Sequence, residues 1–477
     1  MELLTNILTI IYGLNILAII ALIFFERKNP TLTWAWIMVL TFLPIVGFII
    51  YLFIGHGMSK HKMFKNKIID DNTRKEYLNE IRTTYVYDVD SNKNQDLITM
   101  NTAQSKAIYS QHNRIKVIFD GKEKYEELFE SIKKAKKYIH VEYYIIQKDE
   151  VGLEFIKILS EKAKEGVEVK LLYDAMGSNK LNRKKYFKEF KANGGKCAAF
   201  FPSVIPYLSF RINYRNHRKI VVIDGEVAFT GGFNIGKEHI CKDKKIGYWR
   251  DTHLKIEGEG VEDIEERFLL DWIYASREKI NDYSKYFPKV DNIKEITGMQ
   301  VVSCGPDNDE QHIRNGYLKI INNARKNVYI QTPYFVPDET MLNSLKISAL
   351  SGVDVRLMIP GKPDHKTMFW AANSYIGELL EAGVKVYYYQ KGFIHAKTIV
   401  ADGAVSSVGT ANMDIRSFKL NFEVNCFIYN KEIAEIMENQ FEEDMKASNQ
   451  VEINEFSKRS VLDRLVESVV RLVSPLL

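Results

Sequence analysis

The pattern His-x-Lys-(x)4-Asp-(x)6-Gly-x-x-Asn occurs twice, as His217, Lys219, Asp224, Gly231, Asn234 and as His395, Lys397, Asp402, Gly409, Asn412. In an extended strand, residues i and i+2 share a face, so each imidazole projects beside an ammonium, a pairing suited to a phosphodiester. Two copies imply one composite site. One neutral histidine can attack phosphorus to form a phosphohistidine. The other, protonated, can serve as acid to the leaving alcohol and then as base to the incoming one. An ordinary pKa of ~6.5 keeps both forms accessible. Lys219 and Lys397 supply charge, and Asn234 and Asn412 supply amide donors, to the non-bridging oxygens. Asp251 and Glu423 stand at matching places after the two motifs and are expected to orient the histidines through the second ring nitrogen. Asp224 and Asp402 complete the candidate catalytic set, although each precedes a glycine in a tight turn, which favours a structural role over proton transfer. The chemistry requires no metal or cofactor, and none is expected: the acids are spread along the chain and the four cysteines have no metal-like spacing.

The elements that must carry these residues are legible around them. Residues 218–223 and 398–401 read as strands, each followed by an Asp-Gly pair and then a second strand, the short-turn signal of a hairpin. A wider duplication surrounds the motifs. Residues 135–145 correspond in position to 324–335, and Gly166-Val167-Glu168-Val169 to Gly352-Val353-Asp354-Val355. Helical patterns alternating with apolar strands predict an α/β fold in each half, with one domain over 113–290 and a second over 297–450. The first half carries extra residues around 202–215, apolar and then basic, which read as a lid, a membrane-dipping loop or a packed surface loop.

Residues 3–25 are uncharged and mostly apolar, a run of about 23 residues that is long enough for a hydrocarbon core of roughly 30 Å. Residues 31–55 form a second run, so 1–58 is expected to be a transmembrane hairpin. A cleaved signal peptide fits less well, since no basic segment precedes the first run. Lys60, Lys62, Lys65 and Lys67 outnumber Arg27 and Lys28 of the intervening loop, which places the rest of the chain in the cytoplasm. Residues 59–112 are polar and read as a connector. The net charge of +5 suits nucleic acid or anionic lipid; the apolar runs favour lipid. Within 456–477, Leu462, Leu465, Val466, Val469, Val473 and Leu476 recur at helical spacing opposite Arg464, Glu467 and Arg471, an amphipathic helix for a bilayer interface or for packing on the second domain.

The doubled motif resembles that of the phospholipase D superfamily. The segments 215–219, 231–234, 249–253 and 412–423 resemble bacterial cardiolipin synthases, over nearly the whole chain. The resemblance implies two phospholipase D-like domains facing each other across a pseudo-twofold axis, with His217 the nucleophile and His395 the acid and base; spacing alone does not order them. It implies a multi-pass enzyme of the bacterial cell membrane that joins two phosphatidylglycerol molecules into cardiolipin and releases glycerol, with no nucleic-acid partner. The alternatives are a phospholipase D that hydrolyses or exchanges headgroups, a phosphodiester nuclease and a silent membrane scaffold. Tyr143, Tyr144, Tyr334, Phe335 and Trp370 are candidate walls of an acyl groove. His140, His239, His253 and His365 default to structure or surface, with His253 the exception to watch because it adjoins Asp251. Gly232 stands where many superfamily members carry serine, whereas the second motif has Thr410, so a hydroxyl contact to phosphate is expected on one side only.

Overall fold

Seven strands of the first half and seven of the second pair in the same order, and the two series join edge to edge. The computed structural model describes residues 2–25, 30–54, 57–81, 93–181, 186–202, 213–242, 247–289 and 293–474. In the first half Tyr138–Tyr143, Glu168–Asp174 and Lys196–Phe200 run parallel. Tyr138–Tyr143 then pairs antiparallel with Ile220–Ile223, which leads through Val227–Gly231 and His253–Gly258 to Ser110–Ile118. In the second half Asn327–Gln331, Asp354–Pro360 and Lys385–Tyr389 run parallel, and the series continues through Thr398–Ala401, Val405–Gly409 and Asn421–Tyr429 to Ile296–Cys304. Ser110–Ile118 and Ile296–Cys304 pair antiparallel. The result is one mixed sheet whose order repeats outward from this central pair. Helices cover it, as short parallel strands joined by right-handed crossovers require.

Both halves use the same local devices. Glu150–Lys164 ends at Gly166 and Glu339–Leu350 at Gly352, each glycine with φ 92°, a left-handed value that L side chains avoid. Both hairpins turn on an Asp-Gly pair with positive φ at both residues, Asp224 57° and Gly225 72°, Asp402 57° and Gly403 60°, matching the right-handed twist of the strands they join. Each half has its own apolar core. Phe155, Leu159, Leu171, Val221 and Phe229 belong to one, and Val302, Ile330, Leu357, Ile376 and Phe427 to the other.

The described residues divide into two compact units, one within 1–72 together with Asn213 and one within 73–202 and 214–477. In the first, helix Glu2–Phe25 is bonded to Pro30–Phe42 through Asn15 Nδ2, which donates to Leu40 O at 2.9 Å, and Leu22, Trp36 and Tyr51 are buried together. The second apolar run is two helices rather than one. Pro30–Phe42 stops before Pro44–Ile54 because proline has no N–H to continue the ladder. Counted over the described residues, no helix is long and apolar enough to cross a membrane.

Three expectations are modified. The stretch 59–112 is not a plain connector. It contributes to helix Gly57–Ile81 and contains Gln95–Ser105, whose Leu97 and Ile98 are buried in the core of the second half with Met100 packed against it; three large apolar side chains without a clear period in an eleven-residue helix are a weak sequence signal. The first motif strand begins at Ile220, not at 218, because His217 N donates to Phe422 O of the other half at 2.9 Å and leaves its own ladder. The C-terminal helix runs Val461–Val473, preceded by the short helix Ile453–Phe456. The insertion at 202–215 lies mostly outside the described residues.

Candidate active site

Each histidine is delivered to the opposite half of the chain. Arg215–Asn216 pairs parallel with Asn421 and Phe422 of the second half. Reciprocally, Gly392–Ile394 pairs parallel with Tyr248–Arg250 of the first. The residue that follows each strand is the histidine, and the residue that follows each partner segment is a carboxylate. His217 Nδ1 therefore donates to Glu423 Oε2 at 2.9 Å, and His395 Nδ1 to Asp251 Oδ2 at 2.7 Å. His395 N is held by Arg250 O at 2.7 Å. With Nδ1 engaged, Nε2 of each ring is the nitrogen left for chemistry.

The lysines complete both motifs in the same way. Lys219 Nζ donates to His217 O at 2.7 Å and Lys397 Nζ to His395 O at 2.6 Å, which leaves further N–H groups on each ammonium. Burial pushes Lys219 down to about 7 and Lys397 to about 8. Burial also lowers His217, assisted by the two lysines and opposed by Glu423. His395 lies well below its ordinary value through burial, Lys397 and Lys219. Burial raises Asp251, whereas in Glu423 burial is outweighed by His217 and Lys219, so that its pKa falls. Burial and mutual repulsion thus disfavour the charged forms of the lysines and imidazoles, and a phosphodiester anion among them favours those charged forms again.

Asn234 and Asn412 are both buried. Asn234 Oδ1 accepts from Ile145 N at 3.2 Å, which turns its amide NH2 outward from that contact. The motif aspartates are not part of the cluster. Asp224 lies past the far end of strand Ile220–Ile223, where its carboxylate accepts from Lys136 N, Lys137 N and Tyr138 N at 2.7 to 2.8 Å. Asp402 accepts from Arg325 N, Lys326 N and Asn327 N at 2.7 to 3.1 Å. Both tie the hairpin turn to the start of the adjacent strand.

The asymmetry at the glycine position has a different basis from the one expected. A Cβ at Gly232 would stand 1.9 Å from Asp251 Oδ1, so the orienting carboxylate occupies the space of a side chain. Thr410 Oγ1 donates to Glu423 Oε2 at 2.6 Å and supports that carboxylate. Two buried arginines, not singled out from the sequence, fix the backbones that carry the acids. Arg218 donates to Glu423 O at 3.1 Å and to Asp271 Oδ2 at 2.5 Å. Arg250 donates to Asp251 O and bonds Asp444 Oδ2 at 2.8 Å. Their neighbours in sequence are the histidine and the acid, and that adjacency was the available signal.

Of the aromatic candidates, Tyr144 meets the His217 ring at 4.9 Å, and Tyr334 packs with Phe233, Trp249 and Phe393 beside His395. Tyr143 and Phe335 are core residues. Trp370 lies by the C-terminal segment, with Arg459 and Glu467. His140 is bonded to Glu265 at 2.6 Å, His365 is exposed, and His253 is buried in its strand. His239 meets the site's aromatic wall 4.7 Å from Trp249 and 5.7 Å from Phe233, and His253 lies 6.1 Å from Phe233. Among the described residues no cluster of acids, histidines and cysteines could hold a metal.

A family model described as "Cardiolipin synthase, PLD-like domain" matches residues 128–272 and 317–445, and one described as "Phospholipase_D-nuclease N-terminal" matches 13–56. The chain is 55% identical over 456 residues to a Clostridium perfringens protein named cardiolipin synthase, covering 95% of each. It is 47% identical over 484 residues to a Listeria welshimeri protein of the same name, covering 100% of each. Among solved structures, a phosphatidylserine synthase from Haemophilus influenzae superposes with a TM-score of 0.59 at 16% identity, over 76% of this chain and 95% of that one, a likeness of fold.

Proposed function

This chain belongs to the cardiolipin synthase family with phospholipase D-like domains, and from that premise we propose that it transfers a phosphatidyl group from one phosphatidylglycerol to another, forming cardiolipin and releasing glycerol. The observation that carries the mechanism is the crossed pair of contacts, His217 with Glu423 and His395 with Asp251. His217 Nε2 attacks phosphorus, the P–O bond to the headgroup glycerol breaks, and His395 Nε2 gives that oxygen its proton. The phosphatidyl group is then held on His217. In the return step His395 Nε2 removes the proton from the glycerol hydroxyl of a second phosphatidylglycerol, whose oxygen displaces His217. Lys219, Lys397, Asn234 and Asn412 hold the non-bridging oxygens through both steps. Burial, Lys397 and Lys219 hold His395 well below its ordinary value, which favours the neutral ring; the bound phosphodiester anion favours its protonated form.

The intermediate supplies the test. Phosphatidylglycerol labelled in phosphorus, presented in mixed micelles and quenched in alkaline denaturant, leaves label on His217, and His395→Ala accumulates it. Label on His395 reverses the assignment, and near-normal cardiolipin from His217→Ala ends it.

The N-terminal segment supports a membrane anchor. The support lies in the two apolar runs of the sequence, 3–25 and 31–55, and not in any one described helix. Ile10, Leu14, Leu17 and Ile20 of helix Glu2–Phe25 face outward, as do Trp34, Met38 and Phe42 of the next helix. In this reading the two apolar runs form a hairpin and Lys60 to Lys67 keep the catalytic domains in the cytoplasm. Removing residues 1–58 leaves the chemical step but dilutes the lipid acceptor and admits water, so phosphatidic acid rises relative to cardiolipin. A product ratio unchanged across lipid surface densities assigns acceptor choice to the catalytic domains alone.

A further inference from the structure

The C-terminal helix Val461–Val473 is docked through Glu467 and Arg471 together with Val470, which packs on the core of the second half. Glu467 is 4% exposed and takes both carboxylate bonds from Arg459 Nη1, at 2.7 and 2.8 Å. Arg471 donates to Ser374 O at 2.9 Å and to Glu378 Oε1 at 2.8 Å, and its guanidinium lies 4.4 Å from the centre of the Tyr375 ring. All three partners of Arg471 belong to helix Lys366–Glu381. Ser474 is bonded to Tyr375 Oη at 3.1 Å, and Ser460 caps the start by accepting from Asp463 N at 3.0 Å.

With these contacts made, Val461, Leu462, Leu465, Val469 and Leu472 are left 56% to 82% exposed. At 3.6 residues per turn the five fall within an arc of about 100°. An ordinary surface helix buries such a stripe. Turning the stripe inward would break the buried Glu467 contact, the Arg471 contacts and the packing of Val470 on the core of the second half, so the outward orientation is fixed by the helix's other side. Such a stripe marks a site of interaction.

Its chemistry selects the partner. The stripe is convex and purely aliphatic, without the Trp, Tyr or Arg anchors that concentrate binding energy between proteins. Exposed Lys458 precedes the helix and exposed Arg464 lies beside the stripe, where long cationic side chains can reach phosphate headgroups while the valines and leucines enter the acyl boundary. We infer that the outward face of helix Val461–Val473 docks on a bilayer surface containing anionic phospholipid, a membrane contact of the catalytic unit itself and separate from the N-terminal apolar runs. The choice of anionic lipid rests on the proposed substrate; the insertion of the stripe does not.

The test places a photoreactive benzoylphenylalanine at Leu465, and separately at Leu472, in the full chain reconstituted into vesicles of phosphatidylglycerol with phosphatidylcholine or of phosphatidylcholine alone. Both positions are exposed, so the fold tolerates the change. Irradiation yields lipid adducts at both positions, severalfold more in the anionic vesicles. Crosslinks to a second copy of the chain, absence of lipid adducts, or equal yields in the two compositions overturn the inference. Cardiolipin formation is measured in the samples that contain phosphatidylglycerol: product without adducts removes this inference alone, and adducts without product remove the proposed reaction alone.

Discussion

At the scale of single residues, the site works by opposing burial with charge. The two imidazoles are kept below their ordinary pKa by desolvation and by the lysines, and Glu423 alone pulls His217 back up. Replacing Glu423 with Gln removes that pull. The expected outcome is a kcat lower by about 10²- to 10⁴-fold, the range for a mispositioned acid or base. The acid limb of kcat/KM, set by loss of neutral His217, moves to lower pH because the His217 pKa falls further. An acid limb that stays in place or moves up would show that Glu423 does not face His217 in the working enzyme. The residue identities in this pairing were legible from matched spacing, but their partners were not. Glu423 and His217 are 206 positions apart, and a repeat read as two similar halves gives no sign that each half serves the other.

At the scale of elements, the hairpin and its aspartate behave as one device. Three backbone N–H groups depend on Asp224, and its φ of 57° suits few side chains. Asp224→Ala is expected to lower stability by about 1–3 kcal/mol, seen as a lower denaturation midpoint, while kcat per folded molecule changes only a few-fold. Loss of kcat with stability intact would return Asp224 to the chemistry. The alternation of strands, helices and Asp-Gly turns was readable because the periods of 2 and 3.6 are strong over such lengths. The break at Pro44 and the entry of Leu97 and Ile98 into the core were not. Apolar runs report hydrophobicity more loudly than a single proline reports a stop, and tertiary contact decides the fate of a few apolar residues in a polar stretch.

At the scale of the whole molecule, the central pair Ser110–Ile118 and Ile296–Cys304 makes one sheet of the two repeats, and the crossed strands tie them again at the site. Probes in either repeat should therefore report one unfolding transition. Fluorine-labelled tryptophan resolves Trp249 and Trp272 from Trp370, and two separate midpoints would show that the halves are independent. The same transition is pH-dependent. His217, His239, His253 and His395 all have folded pKa values below 6.5, so the unfolded chain binds protons first and stability is lost as pH falls from about 6.5 toward the folded values. The midpoint should drop between pH 7 and pH 5, and a constant midpoint would place these rings in water. The crossed strands also bear on ancestry. A single repeat standing alone would present a histidine without its acid and an acid without its histidine, so a one-repeat forebear could have been active only as a symmetric homodimer. Within one chain the two copies are free to differ, and Glu423 opposite Asp251, or Thr410 opposite Gly232, are such differences.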